Sequence, residues 1–385
     1  MSYKTGTAAG MGDLLAQFNA FLTVGHSLDP QYQTAGDGTI ENIIGTAASV
    51  VETITVTFTG ATAFSVSGSD GGSLGSGTAG TAFTSPVCGF TIAAGSTPFV
   101  SGDKIAFDMT PPWENLRAAN VNTGTDEYIW RAPGNDGESE IYVGMLRFAN
   151  ATGDYDNVRL GGFTGYSPSA AFAAQAGACT RPVMPGLRIG TIPYWFIANG
   201  RRVIVFIKCG AVYEGAYLGF LHSYWITDQW PYPLVVGGSM TWASEPAATS
   251  PTWRYSYEGV GHNMLVFTST SNTPDDNFTL RLRRPDGRWK GFGIMYSSQT
   301  AHSYVWPYSG GCFANVRPLI AGEYSLFPII LNEDTGIYGE MDGLCAVSGF
   351  ENLPENTIAT ARTKYLVMQN VYRSALRDFF AAKLA

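Results

Sequence analysis

Charge is what this chain has least of. Of its 385 residues 14% are charged, against roughly 25% in ordinary soluble chains. A surface so poor in charge has to be built from Gly, Ser, Thr and Asn, or be covered by neighbouring subunits. The formal net charge is -8, and there is neither a basic tail nor a Lys/Arg stripe, so the electrostatic footprint of a nucleic-acid binder is missing. Histidine is equally sparse: His26, His222, His262 and His302 lie far apart, none in an HxxxH or HExxH setting, which leaves histidine-ligated metal without support. No segment approaches the roughly 20 apolar residues of a membrane span, and the start, Met1-Ser2-Tyr3-Lys4-Thr5, lacks the apolar run of a signal peptide. Cys88, Cys179, Cys209, Cys312 and Cys345 make no CxxC pair and are odd in number, so reduced thiols and assembly in a cytoplasm are expected. Gly25-His26-Ser27 has no flanking strand and no G-x-S-x-G turn, which argues against a serine nucleophile.

What the chain does have is alternation. In Thr53-Ile54-Thr55-Val56-Thr57-Phe58 the apolar residues share one face and the threonines the other, the period of a half-buried strand. Ala63-Phe64-Ser65-Val66-Ser67, Cys88-Gly89-Phe90-Thr91-Ile92 and Lys104-Ile105-Ala106-Phe107 repeat it, separated by Gly-rich turns. The whole string TVTFTGATAFSVSGSDGGSLGSGTAGTAFTSPVCGFTIAAGSTPFVSGDKIAF resembles a Gly/Thr-rich β-sandwich module found repeatedly in structural proteins of tailed bacteriophages. That resemblance implies a virion setting and says little about role, since accessory modules host many functions.

Breaker chemistry at Gly36-Asp37-Gly38 and Pro111-Pro112 brackets this module and marks it as an insertion at residues 36–110. Before it, in residues 1–35, Leu14, Leu15, Phe18, Phe21 and Leu22 recur at helical spacing, with Asp13 as the expected N-cap and Gly25 as the stop. After it, residues 111–290 form the expected main β domain and residues 291–385 a C-terminal β-rich domain. Glu140–Gly144, Met145–Phe148 and Val158–Leu160 read as strands. The strongest hairpin joins Ile192–Ala198 to Arg201–Lys208 through Asn199-Gly200, the dipeptide of a type I′ turn, and its nearly continuous apolar second strand should be central and buried on both faces.

The strings DEYIWRAPG, EIYVGMLRF, DNVRLGGFTGY, IPYWFIANGRRVIVFIK, YEGAYLGFL, WPYPLVVGGS and LRRPDGRW are similar to those of large β-rich virion structural proteins of tailed phages, and so is the closing block from SLFPIILNEDTG to YLVMQNVYRSALRDFFAAKLA. The resemblance implies membership of the virion more firmly than any task there. It also implies a terminal strand, whereas Leu376, Phe379, Phe380 and Lys383 stack at helical spacing. Both conformations stay open on the residues alone.

Candidate chemistry is thin. Asp136, Glu138 and Glu140, and Glu333, Asp334, Glu340 and Asp342, supply carboxylates of the kind glycoside cleavage pairs across a cleft. Asn135-Asp136-Gly137, Asp334-Thr335-Gly336 and Asp342-Gly343 read more simply as exposed turns, and neither cluster follows the D-x-[DN]-x-[DN]-G pattern of a calcium loop. Arg281, Arg283, Arg284 and Arg288 surround the turn Pro285-Asp286-Gly287 and read as a solvated hairpin or a protein contact. Tyr224, Trp225, Trp230, Tyr232 and Trp306, with Tyr304 and Tyr308, are the best binding candidates, because flat rings stack on sugar faces. The competing reading places them in a core or a subunit interface.

The expectation is a mostly β, multi-domain antiparallel protein of sandwich or jelly-roll type with a short N-terminal helix. Its expected role is structural, in the neck, tail or baseplate of a tailed phage, through homo-oligomeric assembly. Partners are then copies of itself and other structural proteins of the particle, with no nucleic acid, membrane, metal or cofactor and no catalysis. A receptor-recognition protein that binds host-surface glycan is the first alternative, and an envelope polysaccharide hydrolase the second.

Overall fold

The computed structural model describes residues 2–152, 154–241, 279–293, 303–308, 324–360 and 362–384. The chain is mostly β, with several antiparallel sheets and one α-helix among the described residues. Its body is built around a seven-stranded sheet in the order Ser2–Ala8, Ile192–Ala198, Arg202–Cys209, Val212–Phe220, Leu234–Gly238, Leu280–Arg283, Trp289–Phe292. The apolar run Arg202–Cys209 lies inside this sheet and is covered on both faces. Val203, Val205 and Ile207 enter one core, while Ile204 and Phe206 enter another. A strand facing two cores has no polar side to present, so alternation disappears from its sequence.

The first core packs the central sheet against a six-stranded outer sheet that runs Glu114–Ala119, Glu127–Ala132, Ile141–Asn150, Tyr155–Phe163, Pro182–Gly186, Met240–Thr241. The two runs expected at 140–144 and 145–148 are one continuous strand, Ile141–Asn150. The helix Met11–Leu22 closes one side of this core, burying Leu14, Leu15, Phe18, Phe21 and Leu22. Phe18 meets Trp130 and Phe196 edge-on at 5.3 and 5.1 Å. The N-cap is Gly10, not Asp13. Asp13 sits inside the first turn, where its carboxylate accepts the Ala9 N–H at 2.8 Å and offsets the helix dipole. Thr23 ends the helix, its N–H bonded to the Asn19 carbonyl. Gly25 serves close approach instead, since a Cβ there would come within 2.2 Å of Ser49 Cβ.

The second core joins the other face of the central sheet to a C-terminal sheet, ordered Ser303–Trp306, Phe327–Glu333, Gly336–Ala346, Phe379–Lys383, Lys364–Gln369, Thr357–Ala359, with His222–Ser223 added onto Gly336–Ala346. That core runs across the boundary expected at residues 290 and 291. Phe379–Lys383 is a strand, and its physical reason is two-sided burial: Phe380 and Ala382 fill the core shared with the central sheet, while Phe379 and Ala381 fill a small cluster on the far face.

The Gly/Thr-rich segment folds as two packed sheets around their own core. One sheet holds Glu52–Phe58, Ala63–Ser67, Ser73–Thr78 and Lys104–Thr110, the other Thr39–Gly45, Ala82–Thr84 and Cys88–Ala93. Ile54, Val56 and Phe58 are buried as the alternation requires. His26–Ser27 and Gln31–Gln33 also pair with Lys104–Thr110, upstream of the expected border at residue 36. The chain enters and leaves through adjacent backbone: Ser27 faces Met109, and the Trp113 N–H donates to the Leu22 carbonyl at 2.9 Å. Contacts between this segment and the C-terminal sheet are polar, with Lys364 paired to Glu41, Lys383 to Asp29, and Arg362 stacked 4.5 Å over the Tyr32 ring.

Candidate functional site

The aromatic candidates divide by burial. Tyr224 and Trp225 are 50% and 40% exposed, on the loop that follows the short strand His222–Ser223. Each is fixed by its polar end: the Tyr224 hydroxyl donates to Glu340 at 3.0 Å and the Trp225 indole N–H to the Ile337 carbonyl at 2.8 Å. Trp230 and Tyr232 do not belong with them. Trp230 is 2% exposed, donates to the Arg283 carbonyl at 3.1 Å and packs edge-on against Tyr338. The Tyr232 hydroxyl accepts the Tyr142 N–H at 3.1 Å and lies 2.8 Å from the Phe163 carbonyl oxygen, and burial pushes the phenol well above its ordinary value. Trp230 therefore has no face left for a sugar, and the half-buried Tyr232 ring is packed edge-on against Phe220 with the Arg283 guanidinium 5.5 Å over it. Trp306, 39% exposed, lies on the edge strand of the C-terminal sheet against Phe327. Tyr308 is buried, bonded to the Phe379 carbonyl. The side chain of Tyr304, and His262, His302 and Cys312, lie outside the described residues.

Beside Tyr224 and Trp225 two contiguous cavities, of about 390 and about 330 Å³, share Asn135, Arg201 and His222 in their walls. The loops that carry them are locked together. The Gly134 N–H donates to the Gly200 carbonyl at 2.7 Å, and a Cβ on Gly200 would come within 2.0 Å of the Gly134 oxygen. Neither Asn199 nor Gly200 has positive φ, so the expected type I′ turn is not formed. The Asn199 side chain makes the turn instead, its Oδ1 accepting the N–H groups of Arg201 and Arg202 at 2.8 and 3.0 Å. Glycine is needed at 200 for the approach of another loop, which a local turn signal does not reveal.

Asp342 is not in an exposed turn. It lies within the strand Gly336–Ala346, where its carboxylate accepts Asn199 Nδ2 at 2.8 Å and Arg202 Nε at 3.0 Å. Burial acts to raise this carboxyl, but the fully buried Arg202 and the Asn199 amide hold it below its ordinary value. Several of the other carboxylates are also engaged. Glu333 pairs with Arg284 at 3.4 Å, and Asp136 caps its own loop through the N–H groups of Glu138 and Ser139 at 3.0 and 3.2 Å. Arg284 and Asp286, 2.8 Å apart, knit the arginine-rich hairpin together. Arg201 differs: its guanidinium makes no ion pair with a described carboxylate and lies 5.9 Å from the Phe220 ring, open to both cavities. The Asn135 Oδ1 has no partner among the described residues. These groups, with His222, were absent from the binding candidates because nothing in the sequence places residues 135, 201 and 222 together.

Among the described residues no group of His, Cys, Asp and Glu is arranged to hold a metal ion, and no helix is long and apolar enough to cross a membrane. Cys88, Cys179, Cys209 and Cys345 are free thiols; burial raises all four, Cys209 most plainly.

No protein-family model matches the chain, and no curated protein matches it. Among solved structures it is similar to FlgL of Xanthomonas campestris in two crystal forms, at 18% identity and a TM-score of 0.19 in each. The match covers 24% of this chain and 33% of FlgL in one form, 23% and 29% in the other. The chain thus spans about a third of the FlgL length, and at that TM-score the likeness carries no weight for fold or function.

Proposed function

We propose that the protein is a structural component of a tailed phage particle, in its neck, tail or baseplate, and works by homo-oligomeric assembly. The observation that carries this reading is an open sheet edge. Among the described residues Ser73–Thr78 ends its sheet and pairs on one side only, with Ala63–Ser67, and it reads SLGSGT, without a charge or a proline. Unprotected edges template pairing with another chain, and proteins that stay monomeric blunt them with charge, proline or a covering loop. The low overall charge and the exposed Ile44, Val50 and Val51 of the same segment suit a surface that neighbours cover. Immunogold labelling of purified phage particles with antibody against this chain tests the placement. Label at one axial position of the tail or neck is expected; particles without label, with the protein only in the soluble fraction, would overturn it.

A second reading, recognition of host-surface glycan, is favoured by the exposure of Tyr224 and Trp225 next to a polar groove. Rings held by their N–H and O–H ends present a rigid apolar face at small entropic cost on binding.

A further inference from the structure

The Gly/Thr segment leaves both of its sheets open on one side. Toward the body its edges are taken: Lys104–Thr110 pairs with His26–Ser27 and Gln31–Gln33, and Thr39–Gly45 is tied to the first strand by the Tyr3 hydroxyl, which donates to Asn42 Oδ1 at 3.2 Å. Among the described residues the opposite edges, Ser73–Thr78 in one sheet and Ala82–Thr84 in the other, each have a single neighbour. They follow one another in the chain through the corner Ala79-Gly80-Thr81, and a Cβ on Gly75 would lie 3.5 Å from the Phe83 ring. The two edges therefore run one above the other at the same end of the segment. From Gly71 to Ser85 there is neither a charge nor a proline. Edge strands elsewhere carry charge: Lys4 in Ser2–Ala8, Glu114 and Arg117 in Glu114–Ala119, Lys290 in Trp289–Phe292.

Register fixes which backbone groups are on offer. The Ala79 N–H donates to the Thr62 carbonyl at 2.8 Å, and residues of an antiparallel ladder alternately face the partner strand and turn away from it. Gly75 and Gly77 thus face Ala63–Ser67, while the Ser76 N–H and carbonyl point out along the open edge. The same alternation, counted from the Ser85 N–H on the Cys88 carbonyl, turns those of Ala82 and Thr84 outward. What fits is extended backbone in two layers about 10 Å apart. A lone peptide strand could complete only one of them. A second copy of the chain brings both, because a two-fold axis normal to the sheets sets each edge antiparallel to its own equivalent. Ser76 then meets its counterpart with Gly and Thr beside it, and no like charges are opposed in a chain of net charge -8.

We propose that two copies join edge to edge about such an axis, passing by Ser76 and Phe83, so that both sheets of the segment continue from one chain into the other. The inference rests on the self-assembly reading and adds to it the pairing surface and its symmetry.

The test is oxidative cross-linking of the purified full chain carrying Ser76→Cys, read on non-reducing gels beside sedimentation velocity. Antiparallel pairing brings opposed Cα atoms to about 5.5 Å, within disulfide reach. Ser76→Cys is expected to give a reducible dimer as the main species. The parent chain should not, and neither should Ser65→Cys, exposed on the next strand inward, because its equivalents would lie three strand spacings, roughly 14 Å, apart. An oligomer in which Ser76→Cys cross-links no more than the parent or Ser65→Cys would overturn edge pairing and leave self-assembly through another surface standing. A monomer at every concentration, with no cross-link, would remove both.

Discussion

At the residue scale, buried polar groups set the solution behaviour. His26 is fully buried against Phe21, and that burial lowers its pKa from 6.5 to about 3, with the Leu22 carbonyl opposing the shift and the Arg202 charge adding to it. The unfolded chain therefore binds a proton at His26 below pH 6.5 while the folded chain does not until about pH 3. The His26 contribution to stability is full above pH 6.5 and is lost as the pH drops through that window, by about 1.4 kcal/mol per unit at most. His26→Leu should flatten the acid side of the stability profile measured by denaturant titration between pH 4 and 6; an unchanged slope would show that His26 is not the group responsible. Gly200 is the second residue of consequence. Gly200→Ala should destabilise the protein by roughly 1–3 kcal/mol through backbone overpacking, seen as a lower melting temperature, with Gly210→Ala no guide to it because Gly210 needs positive φ and meets no neighbour. Asn199-Gly200 was legible as a turn, but the reason for the glycine was not, since residue 134 approaches it from another sheet.

At the scale of elements, period-two alternation located Glu52–Phe58, Ala63–Ser67, Cys88–Ala93 and Lys104–Thr110 in the Gly/Thr segment but not Thr39–Gly45, Ser73–Thr78 or Ala82–Thr84, and helical spacing located Met11–Leu22, because in each located element a single face meets a core. The strand Ser2–Ala8 left no such trace. It is an edge strand of alternating polarity too weak to read, SYKTGTA, held by its seven-residue antiparallel register with Ile192–Ala198. The last segment had two readings on its residues, and only the two flanking cores decide between them. Phe380→Ala should therefore cost about 3–5 kcal/mol, the usual loss for a fully buried Phe, whereas a surface helix would lose far less; chemical denaturation checks it. The candidate site was half legible: the exposed Tyr224 and Trp225 were among the aromatic residues singled out, but so were the buried Trp230 and the half-buried Tyr232. Composition cannot separate a ring in a core from a ring on its rim.

At the scale of the whole molecule, three stacked sheets form a body into which the Gly/Thr segment is set by one adjacent entry and exit. Leu22 and Trp113 are already hydrogen-bonded across the gap, so replacing residues 25–111 by a short Gly linker should leave a soluble body with native near-ultraviolet circular dichroism. Loss of that signal would mean that the body needs the polar contacts of Glu41, Asp29 and Tyr32 to fold.

The central claim is self-assembly through surfaces that the isolated chain leaves uncovered. Sedimentation velocity of the purified full chain, alone and with Ser73→Lys and Ser76→Lys placed together on the open edge, addresses it most directly. The account predicts a discrete closed oligomer at micromolar concentration that the two lysines shift toward monomer. A monomer at every concentration, with the edge variant sedimenting identically, would contradict it.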